Sequence, residues 1–309
     1  GPDYMITGGW AQQFVAKATP MGWKLTHAHM TETPPRWVEP IRYKHFEYEI
    51  VSLGPPQAQG IYIAIVMGIL KHLGIRDMKP GSAEHLSSMA HALRFGQRHW
   101  EFVRDDSAYH VPRDVLLDDA YHQQLAKLIS GSRPKIDLTP HVRLTDGAGG
   151  AAGGDALSAA AGSGGRPRLA SAQNKQPSGS CEIAVVDDEG NWVQMMDTLQ
   201  GSGIPGMVVG GVPMVGSHAT FGALQSPMDA TIIAGVKQRC IIGNTLVLKD
   251  GRPVLSAGSP GNVHCTVPQV LTYALDFKLD PDAAVDAPRL LPMTDGQAFT
   301  IEDRPAPGV

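Results

Sequence analysis

One long segment, residues 145–179, constrains the fold of this chain more than any other feature. It reads TDGAGGAAGGDALSAAAGSGGRPRLASAQNKQPSG and contains almost no large apolar side chains. Such a stretch buries too little apolar surface to offset the entropy lost on ordering, so we predict a flexible linker. Linkers of this length inside one compact domain are uncommon and tend to be functional or disordered. The residues on either side of it must therefore form the fold.

The part before the linker, residues 1–144, is predicted to be mainly helical with one extended stretch. An amphipathic helix is expected over 9–18. Residues 42–52 are rich in aromatic and branched side chains, which predicts one or two strands. Residues 61–73 are apolar on nearly all sides, as in a buried helix, and a further helix is expected to begin after the capping residue Ser82.

The part after the linker, residues 180–309, has β character. Residues 182–196 predict a hairpin that turns at Asp-Asp-Glu-Gly-Asn, and residues 245–256 predict a second hairpin that turns at Lys-Asp-Gly-Arg. A helix is expected over 263–277. Helices followed by paired hairpins and a further helix favour a layered α+β architecture, of the αββα kind.

Charge, hydropathy and cysteine content argue against several classes of function. The net charge of −4 and the pI near 6.3 give no sign of a nucleic-acid partner. The longest apolar run, 61–70, is about half as long as a membrane span requires. The histidines lack metal-ligand spacing, and Cys181, Cys240 and Cys265 form no zinc or disulfide pattern, so no metal or other cofactor is expected. The first residue is glycine and not methionine, so the compartment stays open between cytoplasm and periplasm.

The linker ends abruptly at Ser-Gly-Ser-Cys, and this junction suits one kind of chemistry. In self-cleaving N-terminal-nucleophile (Ntn) precursors, a hydroxyl or thiol attacks the preceding carbonyl, and the nucleophile becomes a new N-terminus. The freed α-amine has a pKa of about 8 and can act as the base for its own side chain. Gly179 leaves the attack unhindered. Ser180 and Cys181 are both candidate nucleophiles on these grounds.

Several motifs after the linker occur in a specific order. Ser-Cys-Glu-Ile-Ala-Val-Val-Asp starts at Ser180, Glu-Gly-Asn follows, Thr-Leu-Gln starts at Thr198, and Gly-Ser-Pro-Gly ends at Gly261. Together they resemble the small subunit of the γ-glutamyltransferase (γ-glutamyltranspeptidase) family, which begins Thr-Thr-His, an apolar strand, Val-Val-Asp and Asp-Gly-Asn. The resemblance places Ser180 on the catalytic threonine and Thr198 on a second threonine that supports it. It also implies that the N–H groups of Gly261 and Asn262 form the oxyanion hole.

The part before the linker resembles the large subunit of the same family, through Pro55-Pro56 and Gly60 before the long apolar helix. The resemblance implies a four-layer αββα Ntn-hydrolase sandwich, built by residues 1–144 and 180–309 as one composite domain. It also implies two cleaved subunits that stay associated as a heterodimer, with further oligomerisation open. The start of the large subunit and the last strands of the small one are unmatched. We therefore expect a sandwich incomplete at both ends, in a chain that is a fragment or is completed by another component.

Positions that hold the substrate in the family differ in this chain. The paired serines that bind the γ-glutamyl carboxylate fall on Cys240 and Ile241, and a substrate-binding asparagine falls on Gln200. Recognition of a γ-glutamyl group is therefore not expected, and an amide with a less charged acyl group fits better. The alignment without a gap favours Ser180 over Cys181 as the nucleophile.

Two functions are compatible with these observations. The first is an Ntn-type amidohydrolase or acyltransferase that acts on a small-molecule amide and is activated by cleavage between Gly179 and Ser180. The second is an unprocessed, non-catalytic homologue that binds a ligand or partner through the inherited pocket. Cleavage of the peptide bond before Ser180 would distinguish them.

Overall fold

The computed structural model describes residues 1–32, 34, 37–131, 180–198, 203–215, 235–237, 239, 242–259, 263–292 and 299–302. Its helices are α1 Pro2–Ile6, α2 Gly9–Ala18, α3 His27–Glu32, α4 Gln59–His72, α5 Ala83–His99, α6 Arg113–Leu116, α7 Asp119–Gly131, α8 Val263–Leu271 and α9 Pro281–Asp286. Its strands are β1 Ile41–His45, β2 Tyr48–Ser52, β3 Ser180–Val186, β4 Trp192–Thr198, β5 Gly203–Val209, β6 Val212–Val215, β7 Thr245–Lys249, β8 Arg252–Ala257, β9 Leu290–Pro292 and β10 Phe299–Ile301. The predicted linker, 145–179, lies outside the described residues.

The main sheet joins the two parts of the chain. It has four strands in the order β1-β2-β7-β8, and every neighbouring pair is antiparallel. The β1–β2 hairpin comes from the part before residue 145, and the β7–β8 hairpin from the part after residue 179. The central β2–β7 ladder, which runs from Tyr48 opposite Lys249 to Ser52 opposite Thr245, connects them. The two predicted hairpins, 182–196 and 245–256, form as β3–β4 and β7–β8, and residues 42–52 form most of the β1–β2 pair. The main sheet takes strands from both parts of the chain.

Helix α4 is the centre of the core because its sequence is apolar on all sides. Every residue from Gln59 to Leu70 is buried. One side of the helix packs against α5 and α7 through Leu93 and Leu125. The other side packs against the sheet and α8 through residues that include Ile50 and Val247. The predicted buried helix is therefore present, and it separates an outer helical layer from the sheet.

Local sequence signals set the ends of several elements. The hydroxyl of Ser82 accepts a hydrogen bond from the backbone N–H of His85 (3.2 Å), so Ser82 caps α5 as predicted. Gly74 follows α4 at φ +76°, a backbone conformation that glycine adopts without strain. The predicted helix over 263–277 forms as α8 followed by a π-helical turn, Thr272–Asp276.

A polar cluster joins this π-helical turn to the last residue of β1. His45 Nε2 lies 2.9 Å from both carboxylate oxygens of Asp276, and Arg76 Nε donates to one of them at 3.2 Å. The side chains of His45 and Asp276 are only 1% and 0% exposed. The cluster thus fixes the end of the sheet to the helix that covers it.

In the part of the chain that the structure describes, no helix is both long enough and apolar enough to cross a membrane.

Candidate active site

The β3–β4 hairpin sets the position of the predicted nucleophile. Ser180 is the first residue of β3, and the register places it directly opposite Thr198, the last residue of β4. The turn is held by Asp187, whose carboxylate accepts hydrogen bonds from the backbone N–H groups of Glu189 (3.0 Å) and Asn191 (2.8 Å). The side chain of Asn191, followed by these backbone bonds, holds the pKa of Asp187 below its ordinary value. This turn fixes the register of the hairpin, so Ser180 and Thr198 lie opposite each other at its open end.

One face of this hairpin contacts the main sheet through polar side chains. Gln194 Nε2 donates to the carbonyl oxygen of Ala257 at 2.9 Å and to the carboxylate of Glu182. Asn244 Nδ2 donates to the carbonyl oxygen of Gln194 at 3.2 Å. The Ser256 hydroxyl lies 3.5 Å from the Glu182 carboxylate. These bonds place β3 and β4 beside the residues that enter β7 and leave β8.

The end of β8 leads into the predicted oxyanion loop. Gly258, the first residue after β8, touches the carboxylate of Glu182 so closely that a methyl group there would overlap it. Glycine at this position therefore allows the strand that begins at Ser180 to approach the loop. The donors predicted in that loop, Gly261 and Asn262, lie outside the described residues, so their role stays a prediction.

The residues before β7 are anchored to the end of α5. The buried carboxylate of Asp105 accepts a hydrogen bond from the backbone N–H of Lys237 at 2.6 Å. Arg239 donates to the carbonyl oxygen of Trp100 at 2.9 Å, and its guanidinium lies 4.6 Å from the centre of the Trp100 ring. These anchors flank the predicted substrate-binding positions 240 and 241, and sequence reasoning missed them because their partners are more than a hundred residues away.

Other predicted positions are divided between described and undescribed residues. Gly179, Gln200, Cys240 and Ile241 lie outside the described residues. Cys181, the alternative nucleophile, is exposed on β3 and is paired across the hairpin with Asp197. Ser180 and Cys181 are therefore consecutive residues of β3, and both stay candidate nucleophiles.

The remaining candidate groups do not form a metal centre or a reactive thiol. Among the described residues, no group of three or more His, Cys, Asp or Glu side chains could hold a metal ion. Cys265 is buried, and burial raises the pKa of its thiol to about 12. A thiol with that pKa stays protonated and inert near neutral pH.

Comparisons with known proteins agree over nearly the whole chain. Residues 1–307 match the family model described as Gamma-glutamyltranspeptidase. The Glutathione hydrolase proenzyme of Escherichia coli (strain K12) is 25% identical over 303 residues, which cover 94% of this chain and 48% of that protein. The Acylase ACY 1 proenzyme of Pseudomonas sp. (strain SE83) is 23% identical over 307 residues, which cover 98% of this chain and 49% of that protein. The chain thus spans about half the length of the curated relatives it matches.

A solved structure shows the same fold. The crystal structure of cephalosporin acylase from Bacillus halodurans matches with a TM-score of 0.69 at 21% identity, over 97% of this chain and 49% of that chain. The expected α+β fold class is therefore confirmed.

Proposed function

Since the chain belongs to the gamma-glutamyltranspeptidase family, we propose that it carries the core of an Ntn-type amide hydrolase or acyltransferase. In this proposal, the bond between Gly179 and Ser180 is cleaved by the chain itself. Ser180 then becomes the nucleophile, and its freed α-amine becomes the general base. The single observation that supports this assignment best is the hairpin register, which sets Ser180 at the start of β3 directly opposite Thr198.

The proposed reaction is acyl transfer through a covalent intermediate. The α-amine, with an ordinary pKa of about 8, takes the proton of the Ser180 hydroxyl as its oxygen attacks the amide carbonyl. The amine leaving group departs with a proton, which leaves an ester on Ser180. Water, or another amine in the transferase reaction, then attacks the ester and releases the acyl group. Thr198 is proposed to orient the hydroxyl, because it is the cross-strand neighbour of Ser180.

The oxyanion of each tetrahedral intermediate is proposed to be bound by the backbone N–H groups of Gly261 and Asn262. Contact between Gly258 and the Glu182 side chain supports this role, because it brings the start of that loop to the nucleophile strand. Preorganised donors of this kind commonly lower a barrier by about 3–4 kcal/mol each.

The proposed substrate is a small amide without a γ-glutamyl requirement. The family positions that hold the glutamyl carboxylate are Cys240 and Ile241 in this chain, and neither side chain can bind a carboxylate strongly. Gln200 replaces the substrate-binding asparagine. The relatives include acylases as well as glutathione hydrolases by name, so a change of acyl group is compatible with the family.

The proposed subunits are expected to stay together after cleavage. The cut would separate β2 from β7, yet these strands form the central ladder of the main sheet. A heterodimer of the two pieces is therefore the proposed active form, and higher oligomers are compatible with it.

Intact-mass measurement tests this proposal directly. On incubation, the purified chain should give two pieces whose masses correspond to a break between Gly179 and Ser180. The Ser180→Ala variant should stay whole, and the matched Cys181→Ala control should still be cut. A break between Ser180 and Cys181 would assign the role to Cys181. A wild-type chain that stays whole and inactive towards a panel of amides would support the non-catalytic alternative.

A further inference from the structure

Glu182 introduces an acidic group where the family resemblance puts histidine. The family small subunit begins Thr-Thr-His, and this chain has Ser-Cys-Glu at residues 180–182. Glu182 lies two residues after Ser180 on β3. Residues two apart share a face of a strand and are separated by about 7 Å along it. The carboxylate thus belongs to the face of the hairpin that carries the nucleophile position.

Among the residues that the structure describes, the contacts of the Glu182 carboxylate are with uncharged groups. Its neighbours are the Gln194 amide, the Ser256 hydroxyl at 3.5 Å and Gly258, all of which are uncharged. Within the described ranges, no lysine, arginine or histidine forms an ion pair with it. The side chain is only half-buried, so the carboxylate keeps contact with solvent.

Two amide side chains beside β3 and β4 are held in one orientation by their hydrogen bonds. The nitrogen of Gln194 is used by two acceptors, and the nitrogen of Asn244 by a third, which fixes the orientation of both amides. The remaining oxygens, Gln194 Oε1 and Asn244 Oδ1, are buried and have no hydrogen-bond partner among the described residues. Gln194 therefore presents its amide nitrogen, and not its oxygen, to the Glu182 carboxylate and holds that carboxylate in place with a hydrogen bond.

From this arrangement we propose that Glu182 determines substrate specificity, and that the site prefers an amide whose acyl group carries a positive charge, such as an aminoacyl amide. A cation within several ångströms of the carboxylate is attracted, and a carboxylate at the same place is repelled. This inference deepens the proposed function and rests on it for the location of the reacting bond. It differs from a purely structural role, because it concerns the charge of Glu182 and not its shape.

Three 4-nitroanilides of equal chain length test the charge preference. Their acyl groups are 5-aminopentanoyl, hexanoyl and glutaryl, which are cationic, neutral and anionic. Wild-type kcat/KM should rank them cationic, neutral, anionic. The isosteric Glu182→Gln change should lower the cationic-to-anionic ratio roughly tenfold, and high salt should lower the wild-type ratio in the same direction. Glu189→Gln, an exposed position in the turn of the same hairpin, should leave the ratio unchanged.

The outcomes separate this inference from the proposed function. If Glu182→Gln changes all three rates by the same factor, Glu182 acts only on the fold of the hairpin and the inference is overturned. If the wild type does not hydrolyse any anilide, the proposed reaction fails, and dissociation constants of the same three compounds on the same chain become the readout. A cation preference in binding that disappears in Glu182→Gln would then uphold the charge selection, and equal affinities would overturn it.

Discussion

At the scale of single residues, the structure contains side chains whose importance depends on partners far away in sequence. Ser82 could be predicted as a cap, because its partner His85 is three residues away. Asp105 and Asp276 could not be assigned partners in this way. Lys237, the partner of Asp105, and His45, the partner of Asp276, are joined to them only by the tertiary fold. Sequence patterns report local periodicity, and they carry no signal for a contact between distant polar residues.

The buried pair of His45 and Asp276 makes a prediction about stability. Asp276→Ala removes the acceptor from the buried imidazole and from Arg76, and breaking a buried pair in this way costs about 3–5 kcal/mol. Denaturant unfolding should show this loss. Asp188→Ala, at an exposed turn position, is the matched control and should change the free energy of unfolding by less than about 0.5 kcal/mol. Equal midpoints for the two variants would contradict the assignment.

The buried ring of His85 makes a prediction about pH. Burial lowers its pKa from 6.5 to about 4, and the ring is 2% exposed. The unfolded chain therefore gains this proton below pH 6.5, whereas the folded chain gains it only near pH 4. The neutral His85 ring therefore contributes on the order of 3 kcal/mol to the free energy of unfolding above pH 6.5, and this contribution is lost as pH falls from 6.5 to 4.

Unfolding curves measured across that range test the role of His85. In His85→Gln, the free energy of unfolding should decrease less between pH 6.5 and 4 than in the wild type. Part of the decrease should remain, because burial also lowers the pKa values of His91 and His122. The exposed His110→Gln is the control and should keep the full slope. An unchanged slope in His85→Gln would show that another group is responsible.

At the scale of elements, the sequence predicted best where one periodicity dominates. The amphipathic α2, the wholly apolar α4 and the β3–β4 and β7–β8 hairpins all form where their patterns predict them. The β5–β6 hairpin was missed, because its glycine-rich and proline-containing sequence lacks clear alternation. The π-helical turn after α8 was also missed. Asp276 lies in this turn and contacts His45, and no local pattern encodes that contact.

The contact between Gly258 and Glu182 makes a prediction about how two elements fit. Gly258→Ala would overlap the Glu182 carboxylate, so the glutamate side chain would have to turn away and lose its hydrogen bond to Gln194, at a cost of about 1 kcal/mol. Glu182→Ala should make room for the methyl group, so the double variant should be more stable than the sum of the two changes predicts. Gly131→Ala, where a methyl group meets no atom, is the control. Additive changes would mean that the close contact is absent in solution.

At the scale of the whole molecule, the family resemblance predicted more than the local patterns did. Local sequence patterns predicted individual helices and hairpins and the α+β class. The resemblance predicted that both parts of the chain build one composite domain. The order of strands, in which β2 pairs with β7 across most of the chain, was not predicted by the patterns or by the resemblance. The extent of the domains and the identity of the catalytic residues remain predictions, since several of those residues lie outside the described ranges.

The β2–β7 ladder makes a prediction about the cleaved protein. The pieces 1–179 and 180–309 should elute together in gel filtration under native conditions, because the sheet and the core around α4 take residues from both. They should separate in concentrated guanidinium chloride. The uncleaved Ser180→Ala chain is the control for the elution volume. Separation under native conditions would show that the pairing is too weak to hold the subunits.

The same ladder changes the thermodynamic order of unfolding. Before cleavage, one molecule unfolds to one molecule, and its melting temperature is independent of concentration. After cleavage, one folded molecule would give two separate polypeptides, so dilution would favour dissociation and the melting temperature would rise with protein concentration. Cleavage would thus convert an intramolecular equilibrium into a bimolecular one. Before cleavage, β2 and β7 belong to one continuous chain, so they would pair during folding without any dependence on protein concentration.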